Sequence, residues 1–393
     1  MDVNAFRKSP AGKLIEVGQG DASYRAFVPN PLPPKLAPDG ELLRSASSAA
    51  YSVGELAALG RLMPNPHLLI GPFMRREAVL SSRIEGTQSD IADIYAYEAG
   101  QAPRPGMDSP PAADMQEVLN YVRALEHGLE RLATLPVSLR LIRELHERLV
   151  QGVRGGHAAP GEFRRSQNWI GRPGCTLNEA DFVPPPVLEM HEALGLLEQY
   201  LHAEGDDHPP LIRLAFIHYQ FETIHPFVDG NGRIGRLLIA LLLVHWGLLP
   251  LPLLYLSDYF ERHRQEYYDQ LMAVSRYGTW RDWTLFFLAG VEDQARDASI
   301  RAKHLQDLRR SWQDRLAQAR SSALPLRLAE ALFDSPILTI PQAQRILDVT
   351  YVSAQRNVEK LVEAGILKQL GTSTYDRTYA ALGILNIISE RRG

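Results

Sequence analysis

The chain has 393 residues, 45% of them hydrophobic and 22% charged, with 42 basic against 46 acidic side chains and a formal net charge of −4. That length holds two or three globular domains, and that balance gives no general argument for a nucleic-acid or membrane-surface protein. The single cysteine, Cys175, excludes an intrachain disulfide and a cysteine-ligated metal cluster; with no signal pattern at Met1-Asp2-Val3-Asn4-Ala5, it predicts a cytoplasmic protein.

Residues 1–50 are rich in Pro, Ala and Ser, and Val28-Pro29-Asn30-Pro31-Leu32-Pro33-Pro34 predicts an extended arm, because proline fixes its own φ and restrains its predecessor. A helix is predicted over 52–63, with Ser52 as N-cap and Glu55 completing a capping box. A second covers 66–84 and stops near Gly86. Residues 100–112 read as a Pro/Gly-rich loop. Helices follow over 112–132, 136–151, 186–203 and 208–223. Between two of them, Asn168-Trp169-Ile170-Gly171 and Ala180-Asp181-Phe182-Val183 flank a Gly/Pro turn and predict a short β-hairpin.

The helix over 208–223 leads into His225-Pro226-Phe227-Val228-Asp229-Gly230-Asn231-Gly232-Arg233-Ile234-Gly235-Arg236. This run holds a base candidate, a carboxylate, an amide between two glycines and two arginines. The glycines let backbone N–H groups turn toward an anion. The apolar run 237–244 reads as a buried helix, so the loop faces its positive N-terminal end. Arg233 and Arg236, three residues apart, share one helix face. Asp229 suits Mg²⁺. The pattern is neither a Walker loop nor a dinucleotide fingerprint.

Apolar residues 237–256 are interrupted by His245, Gly247, Pro250 and Pro252, so a core helix and a turn are expected there and no membrane span. Helices are predicted over 258–275 and 279–320. From about residue 324 the pattern changes to helices over 326–333, 339–347 (Thr339 capping, Pro341 in the first turn) and 353–364, with strands near 366–370 and 378–381. Helix–turn–helix plus wing resembles a winged-helix domain. Its third helix offers Ser353, Gln355, Arg356, Asn357 and Lys360 to base edges, yet eight basic against seven acidic residues over 324–393 give a net of only +1. Duplex DNA bound through 339–379 and a protein-contact or dimerisation role are the two readings.

The run 225–236 resembles the signature of the Fic family, His-Pro-Phe-x-Asp-Gly-Asn-Gly-Arg-x-x-Arg, at every specified position. The resemblance implies a mainly α fold: a Fic-type helical core with a β-hairpin flap, followed by a small α+β winged-helix domain. The corresponding divisions are an N-terminal arm and inhibitory helix (1–112), a catalytic core (113–295), a linker helix (296–323) and the winged helix (324–393). It also implies transfer of AMP from ATP, with Mg²⁺, to a Ser, Thr or Tyr hydroxyl of a target protein, and self-modification. His225 would be the base, Asp229 the Mg²⁺ ligand, and Asn231 with the N–H groups of Gly230–Gly232 the phosphate cradle. Arg233 and Arg236 would hold the β/γ end, with Pro226, Phe227 and Val228 completing the nucleotide loop. Gln220 and Ser257 would touch the nucleotide, and Tyr267 or Tyr268 would border adenine or ribose. The hairpin near 168–183 would hold the target by strand addition, and a homodimer is common among relatives.

Upstream, Ser81-Ser82-Arg83-Ile84-Glu85-Gly86 matches the family's inhibitory pattern, Ser/Thr-x-x-x-Glu-Gly/Asn. Ser81 and Glu85, four residues apart, are expected on one helix face, and by the resemblance Glu85 engages Arg236, the arginine that should hold the γ-phosphate. The alternatives are another nucleotide or phosphocholine donor, AMP removal, or a nucleotide-sensing DNA-binding regulator. Doc-type members carry Ala and Lys at the positions of Gly230 and Gly232, which argues against kinase chemistry here.

Overall fold

A computed structural model describes residues 2–20, 23–62, 67–100, 111–153, 159–172, 174–203, 207–319, 322–370 and 377–390. Most of the loop expected over 100–112, and the wing tip between the last two strands, lie outside the described residues. The fold is mostly helical with small antiparallel sheets. The chain divides into two compact units: residues 1–54, 120–249 and 254–295, and residues 55–119, 250–253 and 296–393.

The first unit opens differently from the expected arm. After the short helix α1 (Val3–Phe6), β1 (Gly12–Val17) and β2 (Tyr24–Pro29) pair antiparallel, Leu14 opposite Phe27. Along β1 the apolar Leu14, Ile15 and Val17 are half-buried while Lys13 and Glu16 are exposed, and Phe27 of the paired strand is fully buried, so apolar cover favours a hairpin where the proline-rich composition predicts an arm. Helix α2 then runs Gly40–Leu62, well before Ser52. Asp39 caps it, accepting from the N–H groups of Glu41 and Leu42, both at 2.9 Å. Leu42, Ala46, Ala49 and Val53 are buried at the spacing of one helix face, and Ser52 is a buried interior residue instead of the cap.

α5 (Ala112–Arg131), α6 (Leu139–Leu149) and α7 (Val187–Leu201) surround a central pair, α8 (Pro210–Ile224) and α9 (Asn231–His245). Both central helices are buried on nearly every side, as expected of apolar core helices. The region expected as one helix over 258–275 is two, α10 (Ser257–Arg262) and α11 (Arg264–Tyr277), broken at His263, whose φ/ψ of −108°/36° is not helical. The long α12 spans Trp280–Gln318.

The second unit contains α3 (His67–Ile84), α4 (Ile91–Glu98, absent from the sequence expectations), α13 (Ala323–Ala331), α14 (Ile340–Leu347), α15 (Tyr351–Glu363) and α16 (Leu382–Ser389). Strands β3 (Ile337–Thr339), β4 (Lys368–Leu370) and β5 (Thr378–Ala380) form an antiparallel sheet in the order β3-β5-β4. Thr339 caps α14 with Pro341 in its first turn, as the sequence predicts, and Gln342 completes a capping box. Arg75 of α3 binds Glu98 of α4 through two nitrogens, at 2.8 and 3.0 Å, and lies over the buried Tyr95 ring.

Candidate active site

α8 ends where the signature begins. His225 is its C-cap, with φ 51° and ψ 59°, and Pro226 prevents the helix from continuing. A left-handed backbone at a non-glycine residue costs about 1–3 kcal/mol, and such strain clusters at functional sites. The His225 Nδ1 lies 3.2 Å from the Glu222 carbonyl oxygen, which can only accept, so Nδ1 carries the proton. In the neutral ring the lone pair is then on Nε2, the tautomer a general base requires.

Residues 225–230 turn the chain from α8 into α9. Gly230 is the N-cap of α9 at φ 80°, and it contributes no side-chain cap. The first-turn N–H groups have no intrahelical carbonyl to meet, so a glycine cap leaves them for an anion. A Cβ at Gly235 would stand 2.2 Å from Oε1 of Glu222, so a side chain there has to displace that carboxylate. Arg233 and Arg236 lie in the first two turns and are 2% and 3% exposed, which marks them as built-in cations and not surface ones. The Asp229 carboxylate is 46% exposed and lies 3.6 Å from Arg233, while its Oδ1 accepts from the Gly230 N–H at 2.6 Å. No group of three or more His, Cys, Asp or Glu able to hold a metal occurs among the described residues. A lone accessible carboxylate beside an anion cradle fits Mg²⁺, which takes one or two protein carboxylates and fills its shell with phosphate oxygens and water.

The structure gives several predicted residues more particular tasks. The Asn231 carboxamide locks the loop: Oδ1 accepts from Phe227 N at 2.8 Å and Nδ2 donates to Phe227 O at 2.9 Å. The side chain is thus committed to the loop, and only the backbone of Asn231 is left for the expected cradle. Phe227 is fully buried and stacks on His146, ring centroids 3.7 Å apart, as an apolar anchor; Val228 is 51% exposed. Gln220 is buried, and its Nε2 donates to the Asn30 carbonyl at 3.0 Å. Tyr267 is a core tyrosine, 1% exposed, with its hydroxyl 2.9 Å from His218 Nε2 and its ring stacked on Phe260. Tyr268, 40% exposed, is the accessible ring of the pair, and Ser257 is buried at the start of α10. Burial holds His218 far below the usual imidazole range, at about 3.

In the second unit, Ser81 is buried in α3, whereas Glu85 lies just beyond the helix end and is exposed. The expected shared helix face is thus cut short. Glu85 N–H donates to Ser82 O at 3.0 Å in a tightened last turn, and Gly86 at φ 103° closes the helix where the sequence predicts.

Three residues outside the sequence expectations for the site hold the loop. His146 of α6 accepts the Gly161 N–H on Nδ1 at 3.0 Å and therefore donates from Nε2 to the Asp229 carbonyl at 3.1 Å. Burial pulls its pKa down to about 4, which keeps this neutral tautomer in place. Arg164 and Asn168 both donate to the His225 carbonyl, at 3.0 and 3.3 Å. Only the flanking Leu-His and Phe-Arg-x-x-x-Asn spacing could have pointed to them.

The flap is slighter than the predicted hairpin. One bridge pair joins Ile170 to Phe182, and a turn of 3-10 helix covers Leu177–Glu179. The Phe182 ring packs with Phe6 and Phe27, centroids 6.0 and 5.9 Å away, and Phe27 N–H donates to Val183 O at 2.9 Å. β2 therefore lies along the outer side of the 182–183 segment, and the edge at 168–170 is the side of the flap it leaves uncovered. Trp169 and Ile170 are 42% and 40% exposed there.

Residues 43–130 match the Fic/DOC family N-terminal region, and residues 136–243 match the Fic/DOC family. The chain carries a Fic domain. It is 33% identical over 143 residues to a protein adenylyltransferase Fic from Aedes aegypti, covering 35% of this chain and 25% of that protein. It is 30% identical over 177 residues to the same-named protein of Drosophila grimshawi, covering 44% and 32%. The chain thus spans about a quarter to a third of the length of these relatives. Its fold resembles a Fic family protein from Desulfovibrio desulfuricans, with TM-score 0.56 and 20% identity, covering 89% of this chain and 98% of that one. A Fic domain containing signaling protein from Bacteroides thetaiotaomicron aligns at TM-score 0.50 and 19% identity, over 67% and 95%. No described helix is long and apolar enough to cross a membrane.

Proposed function

We propose that this chain is a protein adenylyltransferase that moves AMP from ATP to a hydroxyl side chain of a target protein. The observation that carries the reading is the pairing of a His225 whose Nδ1 is turned to the Glu222 carbonyl with a glycine-capped helix start and two buried arginines. The relatives' name, protein adenylyltransferase Fic, agrees with it.

In this reading the triphosphate lies at the N-terminus of α9. N–H groups of the first turn hold phosphate oxygens, and Arg233 and Arg236 take the β/γ end with the fork geometry that lysine lacks. Asp229 would hold Mg²⁺, which would neutralise phosphate charge. His225 Nε2 takes the target hydroxyl proton as the oxygen attacks the α-phosphorus. A new O–P bond forms, the bond from the α-phosphorus to the pyrophosphate oxygen breaks, and pyrophosphate leaves. The target chain pairs with the exposed flap edge at 168–170.

Glu85 restrains the reaction in this account by competing for Arg236, so that ATP binds with its triphosphate out of line for attack. Its place at the C-terminal end of α3, where the helix dipole disfavours an anion, supports a need for a cationic partner. The C-terminal module of α13–α15 and β3–β5 is read as a winged helix. Within α15, Asn357 is buried and donates to Ser353 O, Gln355 binds Glu359, and exposed Arg356 and Lys360 are interleaved with Glu359 and Glu363. That mixture favours protein contact over duplex DNA.

The test is lysate labelling with α-labelled ATP by the Glu85→Gly chain, followed by mass spectrometry. Labelled protein and self-modification above wild type are expected, with the signal abolished by His225→Ala. Equal labelling by wild type and Glu85→Gly contradicts the inhibitory role of Glu85.

A further inference from the structure

An anion-binding loop has an accounting problem. If its N–H groups turn inward to a phosphate, its carbonyls turn away into the protein, and each buried carbonyl then needs a donor. In residues 225–229 the donors come from outside the loop or from its far end. The His225 carbonyl receives Arg164 Nε at 3.0 Å and Asn168 Nδ2 at 3.3 Å. The Pro226 carbonyl receives the Arg164 N–H at 2.9 Å. The Phe227 carbonyl receives Asn168 Nδ2 at 2.8 Å and Asn231 Nδ2 at 2.9 Å.

Arg164 is the unexpected member. Its side chain is 2% exposed, and among the described residues its guanidinium is held by carbonyls alone: His225, Ser166 at 3.3 Å, and Pro185. Burying a cation without a carboxylate is costly and is poor evidence of a stabilising role. Burial depresses even this guanidinium, to about 10. The planar fork does supply three fixed directions at once, which an ammonium does not. Two of them fix the strained backbone of His225 and the Pro185 carbonyl at the end of the flap.

We propose that Arg164 and Asn168 are positioning residues for His225, holding the left-handed backbone of the base through its own carbonyl and tying it to both roots of the flap. The proposal rests on the adenylyl-transfer reading of His225. Asn168 precedes the exposed edge residues Trp169 and Ile170, so one side chain links the strand that receives the target to the carbonyl of the residue that takes the target's proton. A target segment docked on that edge is thereby placed relative to Nε2 by two hydrogen bonds and not by the flap's own flexibility.

The experiment uses the full chain carrying Glu85→Gly as parent, with Asn168→Ala and Arg164→Lys added separately. Self-labelling kinetics with α-labelled ATP, equilibrium ATP binding, thermal unfolding and the imidazole resonances of ¹³C-histidine-labelled protein are measured together. A positioning role lowers kcat by about 10- to 100-fold while KM and Kd for ATP stay within about twofold, because misplacement of a reacting group costs rate and not ground-state binding. The His225 resonance shifts or broadens in both variants. If the variants merely lower Tm while folded molecules keep the parental kcat and an unmoved His225 resonance, the proposal is overturned. Equal losses in kcat and ATP affinity overturn it too. Should Arg164→Lys fail to fold, Asn168→Ala, at a partly exposed site, decides alone. If the parent itself takes up no label, the transfer reading falls, and the His225 resonance by itself upholds or overturns the clamp.

Discussion

In the proposed transfer the signature loop and the flap serve one reaction, and they are built in opposite ways. In residues 225–229 the His225, Pro226, Phe227 and Asp229 carbonyls are each met by a donor, and Phe227 is locked twice by Asn231 and stacked on His146. The described residues of 168–183 have one bridge pair, a Trp169 indole N–H on Cys175 O at 3.1 Å, and a small apolar anchor of Ala180, Phe182 and Val183 at one end. Phosphoryl chemistry tolerates little displacement, so its loop is over-determined. A surface that adds a strand must keep unpaired backbone and an edge that adjusts to its partner, so it is held at its roots and left open between them.

Substitutions in the two regions should therefore fail differently. His225→Ala, in the Glu85→Gly parent, lowers α-label incorporation by roughly 10³-fold with ATP binding retained, as expected for loss of a general base. Asn231→Ala strands the Phe227 N–H and leaves its carbonyl to Asn168 alone; it lowers labelling by about 10²-fold and stability by about 1–3 kcal/mol, read by thermal and denaturant unfolding. If Asn231→Ala keeps parental stability, the loop is not over-determined and the comparison breaks.

The pH dependence sharpens the rigid side. The folded state holds His218 at about 3, against an unfolded imidazole near 6.5. A depressed histidine means the unfolded chain binds the extra proton, so this contribution is fully present above about pH 6.5 and is lost as pH falls toward 3. Tm should drop between pH 7 and pH 5, and His218→Gln should flatten that slope.

Flap changes come last in size. Phe182→Ala should raise the KM for a protein target about tenfold while leaving KM for ATP near the parental value, by loosening the anchor and not the cradle. Trp169→Ala should cost only a few-fold in target labelling and less than about 0.5 kcal/mol in stability, since the ring is largely exposed.

The same contrast governs what could be read from the chain. The signature was legible because its residues act within one turn of backbone and a helix start. The donors His146, Arg164 and Asn168 act on residues 57 to 83 positions away, so spacing alone gives them no role. The motif names Asn231, but not that its amide faces Phe227; that depends on how tightly Gly230 folds the loop. The N-terminal hairpin is hidden by composition, because prolines after residue 28 dominate the segment and Lys13-Leu14-Ile15-Glu16-Val17 does not alternate strictly. α2 was begun too late because Ser45–Ser48 resemble a loop, although Asp39 and the buried Leu42, Ala46 and Ala49 mark one helix face. α16 offered only a short apolar run, which periodicity cannot assign.

The most direct test of adenylyl transfer at this loop follows both ends of the nucleotide. The Glu85→Gly chain is incubated in parallel with ATP labelled at the α- or the γ-phosphate, with His225→Ala as control. The account predicts α-label on protein, no γ-label, release of labelled pyrophosphate, and loss of all transfer in the control. Transfer of γ-label, or α-label incorporation that survives His225→Ala, would contradict it.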